Sequence, residues 1–196
     1  MNEVIFMGIK IFIDQGHNPS GHNLGAQGHG LLEQDVNYAV GMYLADIVSN
    51  DPRFDVRTSR NYPSQVLGWD NSSSLQVRVN AANTWPADYF LSIHCNANTN
   101  PAINGTEMYV YSLYGEPFPL AQHLLGAIVA RVGTRDNLVR VNPGLYVLRR
   151  TRMPAVLLEL GYLSNAGDAE LLRTRQYDFA YAIYEGLLKY FNYYPL

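Results

Sequence analysis

Phe90-Leu91-Ser92-Ile93-His94-Cys95-Asn96-Ala97-Asn98 is an apolar run with strand-like alternation that ends in an imidazole. Two further stretches end in a similar way: Ile11-Phe12-Ile13-Asp14-Gln15-Gly16-His17 and Ala155-Val156-Leu157-Leu158-Glu159-Leu160-Gly161. As neighbouring parallel strands, these three would bring two imidazoles and one carboxylate to one edge of a sheet. That edge, outside the carboxyl ends of the strands, is where α/β proteins place their sites. The same groups are the donors of a hydrolytic zinc centre.

Outward from these strands, strand-like and helix-like segments alternate. Residues 8–14 are apolar and β-branched, a first strand. Residues 15–30 hold five Gly, one Pro and three His, a long loop. Leu31, Leu32, Val36, Ala39, Val40, Tyr43, Leu44, Ile47 and Val48 recur at helical spacing, and Asp51-Pro52 ends that helix. Residues 54–58 read as a short strand and 59–70 as a polar loop. Ser72 or Ser73 caps a helix that runs to about Thr84, before Pro86. Further on, 89–94, 106–112, 145–148 and 155–160 read as strands, and 118–132, 168–172 and 177–191 as helices. This βαβ-type alternation predicts an α/β fold, a sheet with helices on both faces. No internal repeat, low-complexity tract or linker interrupts it. One domain over 1–196 is expected, with its core at about 8–191 and no appended wall-binding module.

The length of 196 residues fits one domain, enough to bury about 70% of the unfolded chain's surface. With 47% hydrophobic and 16% charged residues the chain is globular rather than disordered. A net charge of -3 and the lack of a basic run argue against a nucleic-acid partner. No stretch of 18 apolar residues exists, so no membrane insertion is expected. Met1-Asn2-Glu3-Val4-Ile5-Phe6-Met7 is too short and too acidic for a signal peptide, so an exported protein would need another route or a leader already removed. The single cysteine, Cys95, forbids an intramolecular disulfide. Adjacent strand residues point to opposite faces, so Cys95 and His94 should not face each other.

Four residues could carry chemistry, and each has a plainer reading. His17 follows the first strand, where Gly16 lets the chain turn sharply and approach an ion closely; the plainer reading is one of three loop histidines, with His22 and His29. Glu33 lies in the first turn of a helix, where a carboxylate complements the helix dipole, and no Lys or Arg sits three or four residues away to pair with it. His94 alone could be a satisfied core histidine. Glu159 is a carboxylate amid Val156, Leu157, Leu158, Leu160 and Gly161, and burying a charge costs several kcal/mol unless it is paired or binds metal. It reads either as an ion pair with Arg149, Arg150 or Arg152, or as a general base in a site of low polarity. Together the four fit one scheme. Two imidazoles and one carboxylate hold zinc with a position open for water. A second carboxylate takes that water's proton and passes it to a leaving nitrogen. The compact H-E-x-x-H pattern is absent.

At these residues the chain resembles the zinc-dependent N-acetylmuramoyl-L-alanine amidases of the amidase-3 family of cell-wall hydrolases. The match runs in order from about Lys10 to Phe191. It opens with Asp14-Gln15-Gly16-His17-Asn18 and continues with Glu33 and Asn37. Arg78-Val79-Asn80-Ala81-Ala82-Asn83 and Ser92-Ile93-His94-Cys95-Asn96-Ala97 follow. The close is Met153-Pro154-Ala155-Val156-Leu157-Leu158-Glu159-Leu160-Gly161-Tyr162-Leu163-Ser164-Asn165. The resemblance implies a twisted, mostly parallel sheet with helices on both faces. It implies His17, Glu33 and His94 as ligands of one zinc ion and Glu159 as the catalytic glutamate. The implied reaction is hydrolysis of the amide between the lactyl group of N-acetylmuramic acid and L-alanine of the stem peptide. Peptidoglycan or a muropeptide is then the substrate, and an extracellular or cell-wall site of action follows, as for an autolysin or endolysin. A monomer is expected. Asn18-Pro19 replaces the family's second glycine, which implies a different path for that loop. Residues 109–126 are too short for the inhibitory helix that some members insert, so an open groove is expected. Asn96, Asn98, Asn100 and Tyr114 around it either contact sugar and peptide or are ordinary loop residues. Two rivals share the same groups: a zinc carboxypeptidase of the stem peptide, and a wall-binding module that no longer turns over.

Overall fold

The run that ends in His17 is a strand, β1 (Ile9–Gln15), in the computed structural model, which describes residues 8–196. Residues 1–7, on which the signal-peptide reading rests, lie outside the described residues. A two-residue hairpin, β2 (Gln27–Gly28) and β3 (Leu31–Leu32), closes the glycine-rich loop and feeds α1 (Glu33–Ser49). Then come β4 (Phe54–Thr58), α2 (Asn71–Thr84), β5 (Tyr89–Asn96), β6 (Thr106–Val110) and α3 (Pro117–Val132). The chain continues through β7 (Asp136–Val141), α4 (Tyr146–Arg150), β8 (Ala155–Tyr162), α5 (Ala166–Thr174) and α6 (Gln176–Tyr190).

The main sheet has six strands in the order β4-β1-β5-β8-β6-β7. Pairs β4/β1, β1/β5, β5/β8 and β6/β7 are parallel, and only β8/β6 is antiparallel. The mostly parallel sheet is therefore present, with β6 and β7 running against the other four. Strand alternation sorts side chains between two faces. Ile11, Ile13, Leu91, Ile93, Val156 and Leu158 face a large core closed by Val40 and Leu44 of α1, Leu124 and Ile128 of α3, and Ile183 and Leu187 of α6. Phe12, Phe90 and Leu157 face a smaller one closed by Val79 and Ala82 of α2 and by Val147 and Leu148 of α4. Helices thus cover both faces, but the second cover is thin.

Four details differ from the sequence reading, the first being that Leu31 and Leu32 belong to the hairpin strand β3, so that α1 starts only at Glu33. Residues 145–148 are not a strand: Leu145 is extended and Tyr146–Arg150 is a short helix that lays Val147 and Leu148 on the smaller core. A four-residue apolar run does not distinguish the two, because periodicity needs more residues than that. β7 was unread because it is an edge strand, largely exposed on both faces, and its sequence Asp-Asn-Leu-Val-Arg-Val lacks clean alternation. The cap of α2 is Asp70 rather than Ser72 or Ser73. Ser73 N donates to Asp70 Oδ1 at 2.7 Å, and Asp70 N donates to Ser73 Oγ at 3.0 Å, a reciprocal capping box.

Helices α3 and α6 meet at Gly186, where a Cβ would lie 2.8 Å from Leu124 Cα. Gly186→Ala should therefore destabilise the fold by about 1–3 kcal/mol through overpacking, although alanine has the higher helix propensity. Urea unfolding reads this as a lower midpoint at unchanged slope; a raised midpoint would contradict the close approach.

Candidate metal centre and neighbouring carboxylates

Parallel pairing of β1 with β5 sets Gln15 opposite Ile93, so the chain leaving β1 emerges beside His94. Gly16 N donates to Ile93 O at 3.0 Å, and a Cβ on Gly16 would run into the His94 ring. The glycine is needed for that close approach. The sharp turn itself is made by the next residue: His17 has φ 67°, a left-handed conformation that costs a non-glycine residue about 1–2 kcal/mol. The strain is held by Arg78 Nη2, which donates to His17 O at 2.6 Å, and by Asn18 N, which donates to Asn23 O at 3.0 Å.

Glu33, the first residue of α1, comes to the same place. Its Oε1 lies 3.0 Å from His17 Nε2 and 3.0 Å from His94 Nδ1. Cys95 N (3.1 Å) and Asn37 Nδ2 (3.3 Å) also donate to Oε1, and Ala26 N donates to Oε2 at 2.8 Å. Burial works against ionisation of Glu33, but the hydrogen bonds and charge of the two histidines outweigh it and hold the carboxyl below the usual range. His17 Nδ1 faces Asn23 O at 3.2 Å. A carbonyl only accepts, so Nδ1 donates to it, which leaves Nε2 as the ring atom that would bind an ion at the centre. Donor atoms of His17, Glu33 and His94 all lie within 4.8 Å of one another. Two imidazoles and a carboxylate, reachable from solvent and with His17 and Glu33 held by outer hydrogen bonds, suit a zinc-type cation with an open position. The histidine side chains are 20% and 17% exposed. Beside them opens a cavity of about 130 Å³ lined by Leu75, Leu145, Tyr146 and Leu157.

Register pairs His94 with Glu159 across β5 and β8, which places the two side chains on one face. Glu159 is half-buried, and its Oε2 is enclosed with no hydrogen-bond partner. The alternative ion pair with Arg149, Arg150 or Arg152 does not form; Arg149 instead lies over the Tyr146 ring. Burial pushes the Glu159 carboxyl well above the usual range, and the charges of Glu33 and Glu107 push it the same way. A carboxyl in such surroundings holds a proton more readily than an ordinary carboxylate.

Glu107, which the sequence reading passed over, sits opposite Glu159 on β6 and is buried. Its Oε1 accepts from Asn96 Nδ2 (2.7 Å), Tyr162 OH (2.9 Å) and Tyr109 OH (3.1 Å). Its Oε2 meets Arg140 Nε at 3.0 Å. Burial first, then the Glu107 charge, push the Tyr109 hydroxyl up to about 12, so it remains a donor. The signal was in Thr106-Glu107-Met108-Tyr109-Val110, a carboxylate inside an apolar alternation like that around Glu159.

The loop asparagines have structural duties. Asn98 Oδ1 accepts from Asn100 N, and Asn100 Oδ1 accepts from Ala102 N. Tyr114 projects into solvent. Residues 111–116 link β6 to α3 with no added helix. Cys95 faces away from His94 into the large core; burial pushes its thiol well up, which makes it a poor nucleophile. Asn18, where the family's second glycine would stand, is buried and clasps the 59–70 loop. Its Nδ2 donates to Leu67 O (3.0 Å), and Leu67 N donates to its Oδ1 (3.1 Å).

The fold and the site together define an α/β domain with a two-histidine, one-glutamate cluster that could hold a metal ion and an unpartnered carboxylate beside it. A profile of the N-acetylmuramoyl-L-alanine amidases matches residues 11–189. The chain belongs to that family, amidase-3, a family of enzymes. It is 35% identical over 192 residues to N-acetylmuramoyl-L-alanine amidase LytC of Bacillus subtilis, a match that covers 95% of this chain and 36% of LytC, so the chain spans about a third of that relative. It is 34% identical to N-acetylmuramoyl-L-alanine amidase CwlM of Bacillus licheniformis, over 94% of this chain and 69% of that protein. The catalytic domain of CwlV from Bacillus (Paenibacillus) polymyxa var. colistinus superposes with a TM-score of 0.83 at 30% identity, over 96% of this chain and 100% of that domain.

Arg78 and Asp14 are each 1% exposed and joined at 2.7 Å. Arg78→Met should cost about 3–5 kcal/mol by leaving Asp14 buried and unpaired. In Arg78→Met/Asp14→Leu much of that loss should return, as read by denaturant midpoints. Equal losses in the single and double variants would contradict the pairing.

Proposed function

We propose that this chain is a zinc-dependent amidase that hydrolyses the bond between N-acetylmuramic acid and L-alanine of the peptidoglycan stem peptide. The observation that carries this reading is the pairing of the His17–Glu33–His94 cluster with an unpartnered Glu159 across β5 and β8, in a chain of the amidase-3 family. His17 Nε2, one Glu33 oxygen and His94 Nδ1 would hold the ion. When bound, zinc lowers the pKa of a water to about 7 and polarises a carbonyl oxygen.

The rest is the work of the chain's own groups. Glu159, unpaired and more basic than an ordinary carboxylate, accepts a proton from the attacking water. The water oxygen bonds to the lactyl carbonyl carbon, and Glu159 returns the proton to the departing nitrogen. The C–N bond breaks to give a lactyl carboxylic acid and a free L-alanine amine. The ring of Tyr146 and the side chains of Leu75 and Leu157 give the space beside the histidines an apolar wall, which strengthens electrostatic interactions by excluding water. A substrate in the wall places the action outside the cell or in the wall itself, as for an autolysin or endolysin. No helix among the described residues is long and apolar enough to cross a membrane. One catalytic domain over 1–196, acting as a monomer, suffices for this reaction.

Digestion of a purified muropeptide should expose new N-terminal alanine, and EDTA should stop it. Glu159→Gln should lower kcat by about 10²–10⁴-fold. Unchanged turnover in that variant would remove Glu159 from the mechanism. Release of free D-alanine in place of N-terminal alanine would make the enzyme a carboxypeptidase.

A further inference from the structure

One polar side chain near the site remains unexplained by the reaction. Tyr109 pairs with Arg140 across β6 and β7 and with Leu157 across β6 and β8, while Glu107 pairs with Glu159. By alternation, Arg140, Tyr109, Glu107, Glu159 and His94 lie on one face of the sheet. They form a polar row from the outer strand β7 to the metal pocket. Arg140 is 55% exposed. Its Nε is engaged by Glu107 Oε2 at 3.0 Å and by Asn137 O at 3.2 Å. Neither Nη atom has a protein acceptor among the described residues. Glu107, anchored from below by Asn96, Tyr109 and Tyr162, thus fixes the guanidinium at its stem and leaves the outer fork to solvent.

We propose that Arg140, held by Glu107, binds a free carboxylate of the peptide on the leaving side of the cut. This rests on the amidase reading above. A guanidinium immobilised at Nε presents two parallel N–H donors, a geometry that matches a carboxylate and not a neutral amide. β7 lies two strand spacings from β8, roughly 10 Å. An extended peptide covers that span in about three residues, so the carboxylate belongs to the second or third residue after the scissile bond. Glu107 is a positioning residue and Arg140 the recognition group.

The test uses the zinc-loaded chain and three synthetic muramoyl tripeptides: one with free carboxylates at residues two and three, one with a carboxamide at residue two, and one with a carboxamide at residue three. Wild type should prefer the free acid over one of the two carboxamides by about tenfold in kcat/KM, and the affected peptide identifies the residue read. In Arg140→Gln that ratio should fall to near one, and Arg140→Lys should lie between, since it keeps the charge and loses the fork. The ratio does not depend on the fraction of enzyme that is folded. The same peptides are titrated calorimetrically against Glu159→Gln and Glu159→Gln/Arg140→Gln, where affinity is read without turnover. Loss of carboxylate preference on removal of Arg140 supports the assignment even where the amide is not the bond cut. A preference that survives Arg140→Gln, or no preference in wild type, overturns it.

Discussion

The site depends on one buried guanidinium. Arg78 reaches from α2 to the end of β1, where Nη1 donates to Asp14 Oδ1, Gln15 O and Ser59 Oγ, and Nη2 donates to His17 O and Asn18 Oδ1. Asp14 completes the network by accepting from Ser92 Oγ at 2.7 Å. Burial alone would raise the Asp14 carboxyl, but Arg78, with the Ser92 hydrogen bond, outweighs it and holds the group below its usual range. Such a pair need not add net stability, since desolvation offsets much of its attraction. Its effect is on conformation. The left-handed turn at His17 delivers that residue's carbonyl to Arg78, so the strained backbone is also the one that satisfies the buried cation. The same network ties β1, β5, α2 and the 59–70 loop into one rigid wall of the pocket.

Against this wall the sheet divides its labour by face. One face packs a continuous apolar core under α1, α3 and α6. The other is apolar only where α2 and α4 cover it, and beyond that limit it carries the polar row that ends in Glu159 and His94. Thin cover leaves the histidines reachable from solvent. It also explains why Glu107 and Glu159 can stand opposite each other: Glu107 takes all the nearby donors, and Glu159 is left without one. Burial first, and then the charges of Glu33 and Glu107, push the unpaired Glu159 carboxyl up.

Much of this was legible in the residues, and the exceptions have physical causes. β1 and β5 read correctly because apolar runs stop abruptly at polar loops, and β4 because Phe54, Val56 and Thr58 alternate with Asp55 and Arg57. His17, His94 and Glu159 stood out because each interrupts or ends such a run, and the order of motifs added Glu33. The meeting of Glu33 with the histidines depends on where α1 starts relative to the end of β5, which no spacing encodes. The reversed direction of β6 and β7 was equally hidden, since alternation is the same in either direction. Arg78, flanked by Val77 and Val79 on a helix, belonged to a quoted motif, but its role needed the partner 64 residues away. Arg140 lay in an edge strand with no apolar pattern to mark it.

The central claim is that one divalent ion sits between His17, Glu33 and His94. Zinc content of the purified chain and of His94→Ala, measured by elemental analysis with circular dichroism as the check on folding, tests it most directly. The account predicts about one zinc per wild-type chain and little or none in a folded His94→Ala. Full zinc occupancy in that variant, or a wild-type chain that cleaves its substrate after exhaustive metal removal, would contradict it.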